Sequence, residues 1–96
     1  MKILAMEIEV EGINPEQYQP HLKAEAQRAW ELYQSGTIRE LYFRSDRSEA
    51  VLMLECADSN EAKQILASLP LVKAGLITFE IIPLFPYSGF VRLFGE

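Results

Sequence analysis

Three side chains that together could carry out proton transfer alternate along one segment of the sequence. Glu40, Tyr42 and Arg44 lie in TIRELYFRS, residues 37–45, and a strand would point all three to one side. A carboxylate removed from water has a raised pKa and can act as a general base. An arginine can hold a substrate carboxylate through two parallel hydrogen bonds, and a tyrosine can donate one to an enolate oxygen. The segment therefore predicts a site for proton transfer beside a carbonyl group. The alternative is a structural role, in which Arg44 pairs with Glu40 or Glu55.

A second candidate pair lies on the first predicted helix. His21 is the one histidine of the chain, and Glu25 follows it one helical turn later. Histidine exchanges protons near neutral pH without tuning, so the pair could form an oriented base; the alternative is an ordinary surface pair. Two residues at this spacing are too few for a metal site, and the sequence has no Cys/His cluster and no glycine-rich phosphate loop. We therefore expect no metal and no cofactor.

Composition limits the classes of partner and the compartment. The chain has 96 residues and a formal net charge of −5, with no segment long and apolar enough to span a bilayer. An acidic chain with scattered basic residues does not suit a nucleic-acid backbone. The one cysteine, Cys56, falls in a predicted strand, where a buried inert thiol is the favoured reading over a nucleophile. These features predict a cytoplasmic protein that binds neither nucleic acid nor membranes.

Periodicity and turn residues predict six secondary-structure elements. Their order is strand, helix, strand, strand, helix, strand, which is the ferredoxin-like arrangement of the α+β class, with a four-stranded antiparallel sheet and two helices on one face. Asn14 and Pro15 predict the start of the first helix, and Pro70 predicts the end of the second. The predicted strands cover about 2–10, 37–45, 50–56 and 75–84, and the helices about 15–35 and 59–69.

The first predicted helix has one apolar stripe at three- and four-residue steps, which is the pattern of a core-facing side. A neighbouring, more polar stripe runs through His21, Glu25, Arg28 and Leu32. The apolar stripe consists of Tyr18, Leu22, Ala26, Ala29 and Tyr33.

Both faces of the predicted sheet are apolar, and this predicts assembly. The alternation places one set of residues against the helices and a second apolar set, together with Glu7 and Glu9, on the opposite face. A bare apolar face of this size indicates an interface, so we expect two subunits to pack sheet to sheet into a dimeric α/β barrel. The predicted helix side is Leu4, Met6, Ile8, Leu41, Phe43, Val51, Met53, Ile77, Phe79 and Ile81; the predicted outer side includes Ile3, Ala5, Ile38, Tyr42, Leu52, Leu54, Leu76 and Ile82.

The last residues of the chain read LFPYSGFVRLFGE, residues 84–96, and are rich in aromatic and large aliphatic side chains. Residues 1–83 form the predicted domain. We expect the tail to pack on that domain or on a partner subunit, because so apolar a segment is not stable in water.

Two segments resemble the muconolactone isomerase-like family of the dimeric α/β-barrel superfamily. They are LYQSGTIRELYFRSDRSEAVLMLECADSNEA, residues 32–62, and LASLPLV, residues 66–72. The resemblance covers roughly residues 1–83. It implies a homodimer or higher oligomer, and a cofactor-independent enzyme that moves a proton between carbons of a small unsaturated lactone or organic acid. The alternative function is a non-catalytic small-molecule-binding or assembly module of the same fold.

Overall fold

The ferredoxin-like prediction is confirmed by a computed structural model, which describes residues 1–95. Four antiparallel strands form one sheet in the order β2-β3-β1-β4, and the helices cover one of its faces. The strands are β1 Lys2–Glu9, β2 Ile38–Phe43, β3 Ala50–Glu55 and β4 Ile77–Leu84, and the helices are α1 Leu22–Gln34, α2 Ser59–Ala67 and α3 Pro70–Lys73. Within the described range, no helix is both long and apolar enough to cross a membrane.

The first helix begins later than predicted, and Pro20 is the reason. An uninterrupted α-helix from residue 15 would need the amide hydrogen that Pro20 lacks, and its ring would collide with the preceding turn. The chain instead makes two short 3-10 turns, Pro15–Gln17 and Gln19–His21, before α1 begins at Leu22. This detour places Tyr18 below the first turn of α1 and beside Leu76, whose carbonyl oxygen lies 3.4 Å from the Tyr18 hydroxyl.

Both ends of the second helical region follow from single residues. The Asp58 carboxylate accepts a hydrogen bond from the Glu61 amide at 2.8 Å, so Asp58 caps the start of α2. Pro70 was predicted only to stop this helix. It also opens α3, because a proline is favoured at a first helical position, where no amide donor is needed.

The predicted faces are wrong for β1 and β3 and for Ile38 of β2, which pairs with the buried Leu54 and is itself buried, because an irregularity between Ile38 and Glu40 shifts the alternation. Ile3 pairs with Leu54 and Ala5 with Leu52, and all four are buried against the helices. Period two shows which residues share a face but not which face the helices cover. Glu7 and Glu9 therefore lie on the helix side. The outer face is still largely apolar, and carries Leu4, Met6, Ile8, Val51, Met53 and Ile82 beside Glu40, Tyr42, Thr78 and Glu80.

The C-terminal tail projects away from the domain. The radius of gyration is 15.8 Å, whereas a compact chain of this length has about 12.5 Å. Phe85 and Phe94 are 86% and 87% exposed. A 3-10 turn at Gly89–Leu93 brings the rings of Tyr87 and Phe90 together edge to face, with centroids 5.0 Å apart. Glu96 lies outside the described residues.

Candidate active site

A cavity of about 510 Å³ lies between α1 and the helix side of the sheet. This volume is within the range of small-molecule sites, roughly 300–1,000 Å³. Leu22, Ala26 and Ala29 of the predicted apolar stripe line it instead of closing onto the sheet, whereas Leu32 of the neighbouring stripe is buried in the core. The other apolar walls are Ile38, Leu41, Phe43, Ala50, Leu52, Leu69, Leu71 and Phe79.

Glu7 is the polar group on the sheet side of the cavity. It comes from β1, two residues beyond the buried Ala5, and is itself partly buried. One carboxylate oxygen accepts a hydrogen bond from the Ala50 amide at 3.0 Å, which fixes the side chain. Burial raises the pKa of Glu7, the Ala50 amide lowers it, and the nearby charges of Glu9 and Glu49 raise it again. The result is a carboxyl group that holds its proton to higher pH than a solvated glutamate.

Glu25 is the matching group on the α1 side. Its Oε1 accepts a hydrogen bond from the Leu71 amide at 2.9 Å, at the start of α3. Burial raises the pKa of Glu25, against the lowering effects of that amide and of the His21 charge. His21 lies at the N-terminal boundary of α1 and its charge acts on Glu25, but among the described residues the two form no hydrogen bond or ion pair, and His21 does not line the cavity. The charge of Glu25 also raises the pKa of Glu7, so the two carboxyl groups interact.

Tyr18 and Glu9 lie at the same end of the cavity. Burial and the nearby Glu9 carboxylate raise the pKa of the Tyr18 hydroxyl. Tyr18 therefore stays protonated at neutral pH and is a hydrogen-bond donor rather than a base. Next to Glu9, the carboxylate of the buried Glu49 accepts a hydrogen bond from the Glu9 backbone amide at 3.1 Å. Its other oxygen lies 3.6 Å from the Arg47 guanidinium.

The predicted triad of the hairpin is not brought together at the cavity, since neither Glu40 nor Arg44 lines it. Glu40 and Tyr42 share the outer face of the sheet, where the Tyr42 hydroxyl donates to Glu40 at 2.8 Å. Tyr42 also borders the cavity. Arg44 follows the end of β2 and forms two hydrogen bonds, at 2.9 and 2.8 Å, with Asp46. Its partner is thus neither Glu40 nor Glu55, and its guanidinium is already occupied by a carboxylate.

Sequence reasoning did not select Glu7 or Tyr18 as leading site residues. The available signal was a pair of glutamates, Glu7 and Glu9, in register with the buried Ile3 and Ala5. Acidic side chains on a core-facing side of a strand are costly unless they serve a site. The signal was hidden because the helix side of the sheet was assigned to the other residues.

Cys56 is buried, its Sγ lies 3.6 Å from the Asp58 carbonyl oxygen, and burial raises the pKa of the thiol, as for an unreactive cysteine. Among residues 1–95, no three His, Cys, Asp or Glu side chains are grouped so as to hold a metal ion.

The family model described as muconolactone delta-isomerase matches residues 3–89. The chain belongs to this family. Among individual curated proteins, none matches significantly.

Two solved structures of similar fold confirm the architecture. A crystal structure of muconolactone isomerase is 18% identical, with a TM-score of 0.73 and coverage of 92% of this chain and 92% of that one. The 5-chloro-2-hydroxyhydroquinone dehydrochlorinase from Burkholderia phenoliruptrix AC1100, in complex with 2,5-dihydroxybenzoquinone, is 15% identical, with a TM-score of 0.72 and coverage of 93% and 98%. At these identities the two structures establish the fold and not the reaction.

Proposed function

We propose that this protein is a cofactor-independent isomerase that moves a proton between two carbon atoms of a small unsaturated lactone. The observation that carries the proposal is Glu7, a partly buried carboxyl group with a raised pKa that lines a cavity of ligand size. Membership of the muconolactone delta-isomerase family supports it. So does the dehydrochlorinase of the same fold, whose bound 2,5-dihydroxybenzoquinone is also a small unsaturated ring.

The reaction needs one base and one hydrogen-bond donor. The ionised Glu7 removes a proton from the carbon beside the lactone carbonyl, and the electron pair of that C–H bond moves into a dienolate with its charge on the carbonyl oxygen. The carboxyl group then returns the proton to the far end of the conjugated system, which leaves the double bond in conjugation with the carbonyl. A raised pKa favours this role, because a general base works best when its pKa is near the operating pH.

Tyr18 and Glu25 complete the arrangement. The Tyr18 hydroxyl, kept protonated, turns its one proton from the Leu76 carbonyl oxygen, 3.4 Å away, to the dienolate oxygen and so stabilises the negative charge that develops there. Glu25 faces Glu7 from α1 and provides a second carboxyl group that can deliver the proton on the opposite side of the ring. The amides of Ala50 and Leu71 each hold one oxygen of these groups, so the second oxygen of each can face the ligand.

We also propose that the protein works as a homodimer or larger assembly in the cytoplasm. The apolar outer face, with Leu4, Met6 and Val51, is covered by a second sheet, and the exposed tail packs on the partner subunit. The tail's aromatic side chains at 66–87% exposure support this proposal, because burying an aromatic ring removes about 150–250 Å² from water.

The proposed reaction is tested with α-angelica lactone, an unsaturated lactone whose isomerisation gives a conjugated product with stronger ultraviolet absorbance. We expect turnover by the parent protein, deuterium uptake from heavy water, and a loss of about 100-fold or more in kcat for Glu7→Gln. Glu11→Gln is the matched control, since Glu11 follows the same strand and is exposed. Tight binding without turnover by the parent would favour the binding module instead.

A further inference from the structure

The charge of the cavity is one-sided. Its lining includes the carboxyl groups of Glu7, Glu9 and Glu25, and among the described residues that line it none is basic. We infer that the cavity selects an uncharged substrate, a small ring lactone, ketone or phenol that carries no carboxylate. The inference rests on the proposed function for its site, and it names the substrate class.

Two arginines that follow β2 contact carboxylates outside the cavity. Arg47 lies 3.6 Å from Glu49, which is buried behind Glu9. Arg44 is bound through two hydrogen bonds to Asp46. Because neither guanidinium lines the cavity, a ligand carboxylate would meet like charges there with no counterion.

An anionic ligand would also reduce the ionised fraction of the proposed base. A negative charge beside Glu7 favours its protonated form, just as the charges of Glu9, Glu49 and Glu25 already do. A protonated Glu7 cannot remove a proton from carbon. An uncharged ligand adds no charge of its own, so it leaves more of Glu7 ionised than an anionic ligand of the same size does.

The remaining walls favour a flat apolar ring. Leu22, Ala26 and Ala29 present one side of the cavity, and Leu52 and Phe79 present the opposite side. Burial of apolar area supplies the affinity, and the few polar groups at one end orient the carbonyl.

The test compares two ligands that differ in one charge. One is α-angelica lactone, and the other is its analogue with a carboxymethyl group in place of the methyl group. At low salt and about neutral pH, we expect the uncharged lactone to have a kcat/KM and an affinity at least about tenfold better. In Glu9→Gln the ratio between the two lactones, in kcat/KM and in affinity, should decrease, because one of the carboxylates that repel the charged analogue is removed. Glu11→Gln should leave it unchanged.

Binding and turnover are measured separately, so the two proposals can fail separately. If neither lactone is isomerised but the uncharged one binds at least about tenfold more tightly, the substrate class stands and the reaction falls. If the carboxylate analogue is isomerised with equal or better kcat/KM, the reaction stands and the substrate class is overturned. If neither lactone binds at any concentration at which it is soluble, the proposed substrate class is overturned as well.

Discussion

The carboxylate of Glu25, on α1, accepts a hydrogen bond from the backbone amide of Leu71, 2.9 Å away at the start of α3. The two residues are 46 positions apart in the chain. Pro70 precedes this amide and begins α3, whose first amides have no partner within the helix. One side chain thus joins two helices and borders the cavity, so its chemical and structural roles can be separated by substitution.

Glu25→Ala should destabilise the fold by about 1–3 kcal/mol, because it leaves a partly buried amide without an acceptor. Glu25→Gln keeps an acceptor oxygen and should cost less. Urea unfolding of the parent and both variants measures the difference. Equal losses for the two substitutions would show that the Leu71 hydrogen bond contributes nothing.

Glu7 should make the protein less stable as pH rises. The pKa of Glu7 is raised in the folded state, so the folded protein keeps a proton that the unfolded chain has already released. Stability therefore falls as pH increases from the ordinary glutamate pKa to the raised one, and stays lower above it. Glu7→Gln has no proton to lose, so it avoids this loss of stability, and its amide oxygen can still accept the hydrogen bond from the Ala50 amide. We expect its melting temperature to exceed that of the parent at about pH 8 and to match it at about pH 4.

Glu11→Gln is the control for this experiment, since it removes one carboxylate from the same part of the chain at an exposed position. If Glu7→Gln raises the melting temperature equally at both pH values, or more at acidic pH, then Glu7 does not lower stability as pH rises and the prediction is wrong. Buffers are matched in ionic strength, because exposed charges are screened by salt.

Much of the fold was predictable because its signals are local. Alternation predicts the strands, Pro70 predicts the end of the second helix, and the order of elements predicts the ferredoxin-like topology. The predicted start of α1 is wrong because the apolar stripe continues from Tyr18 to Leu22 at helical spacing, although Pro20 between them interrupts an α-helix. The covered face was misassigned because both faces are apolar, and only packing of the helices distinguishes Ile3 from Leu4.

The site was less predictable because it depends on that packing. The alternation of Glu40, Tyr42 and Arg44 predicts that all three side chains point to one side of a strand. Arg44 lies beyond the end of β2, however, and its guanidinium forms hydrogen bonds with Asp46. Glu7 acquires its chemistry from burial beside α1 and from residues about 40 positions away, such as Ala50. Neither is visible in a short segment of sequence.

Adjacent residues of β3 test the corrected faces. Leu54 is fully buried against the helices, so Leu54→Ala should cost about 2–5 kcal/mol of unfolding free energy. Met53 points to the outer face, so Met53→Ala should cost less than about 1 kcal/mol in the dissociated subunit. Guanidinium unfolding at low protein concentration measures both. The opposite ranking would restore the original assignment.

The edge-to-face pair of Tyr87 and Phe90 allows a test of whether the tail contributes to subunit assembly. Tyr87 packs so closely over Gly89 that an added Cβ would collide with its ring, whereas nothing described lies near a Cβ added at Gly95. Gly89→Ala should therefore displace Tyr87 from Phe90 and leave residues 1–83 folded. If the tail packs on a partner subunit, sedimentation equilibrium will give a dissociation constant about tenfold or more weaker for Gly89→Ala. Gly95→Ala should behave as the parent does.

Two outcomes would contradict this prediction. An 11.0 kDa species for the parent at micromolar concentration would contradict assembly itself. An unchanged dimer, both in Gly89→Ala and in a chain that lacks residues 84–96, would exclude the tail from the interface.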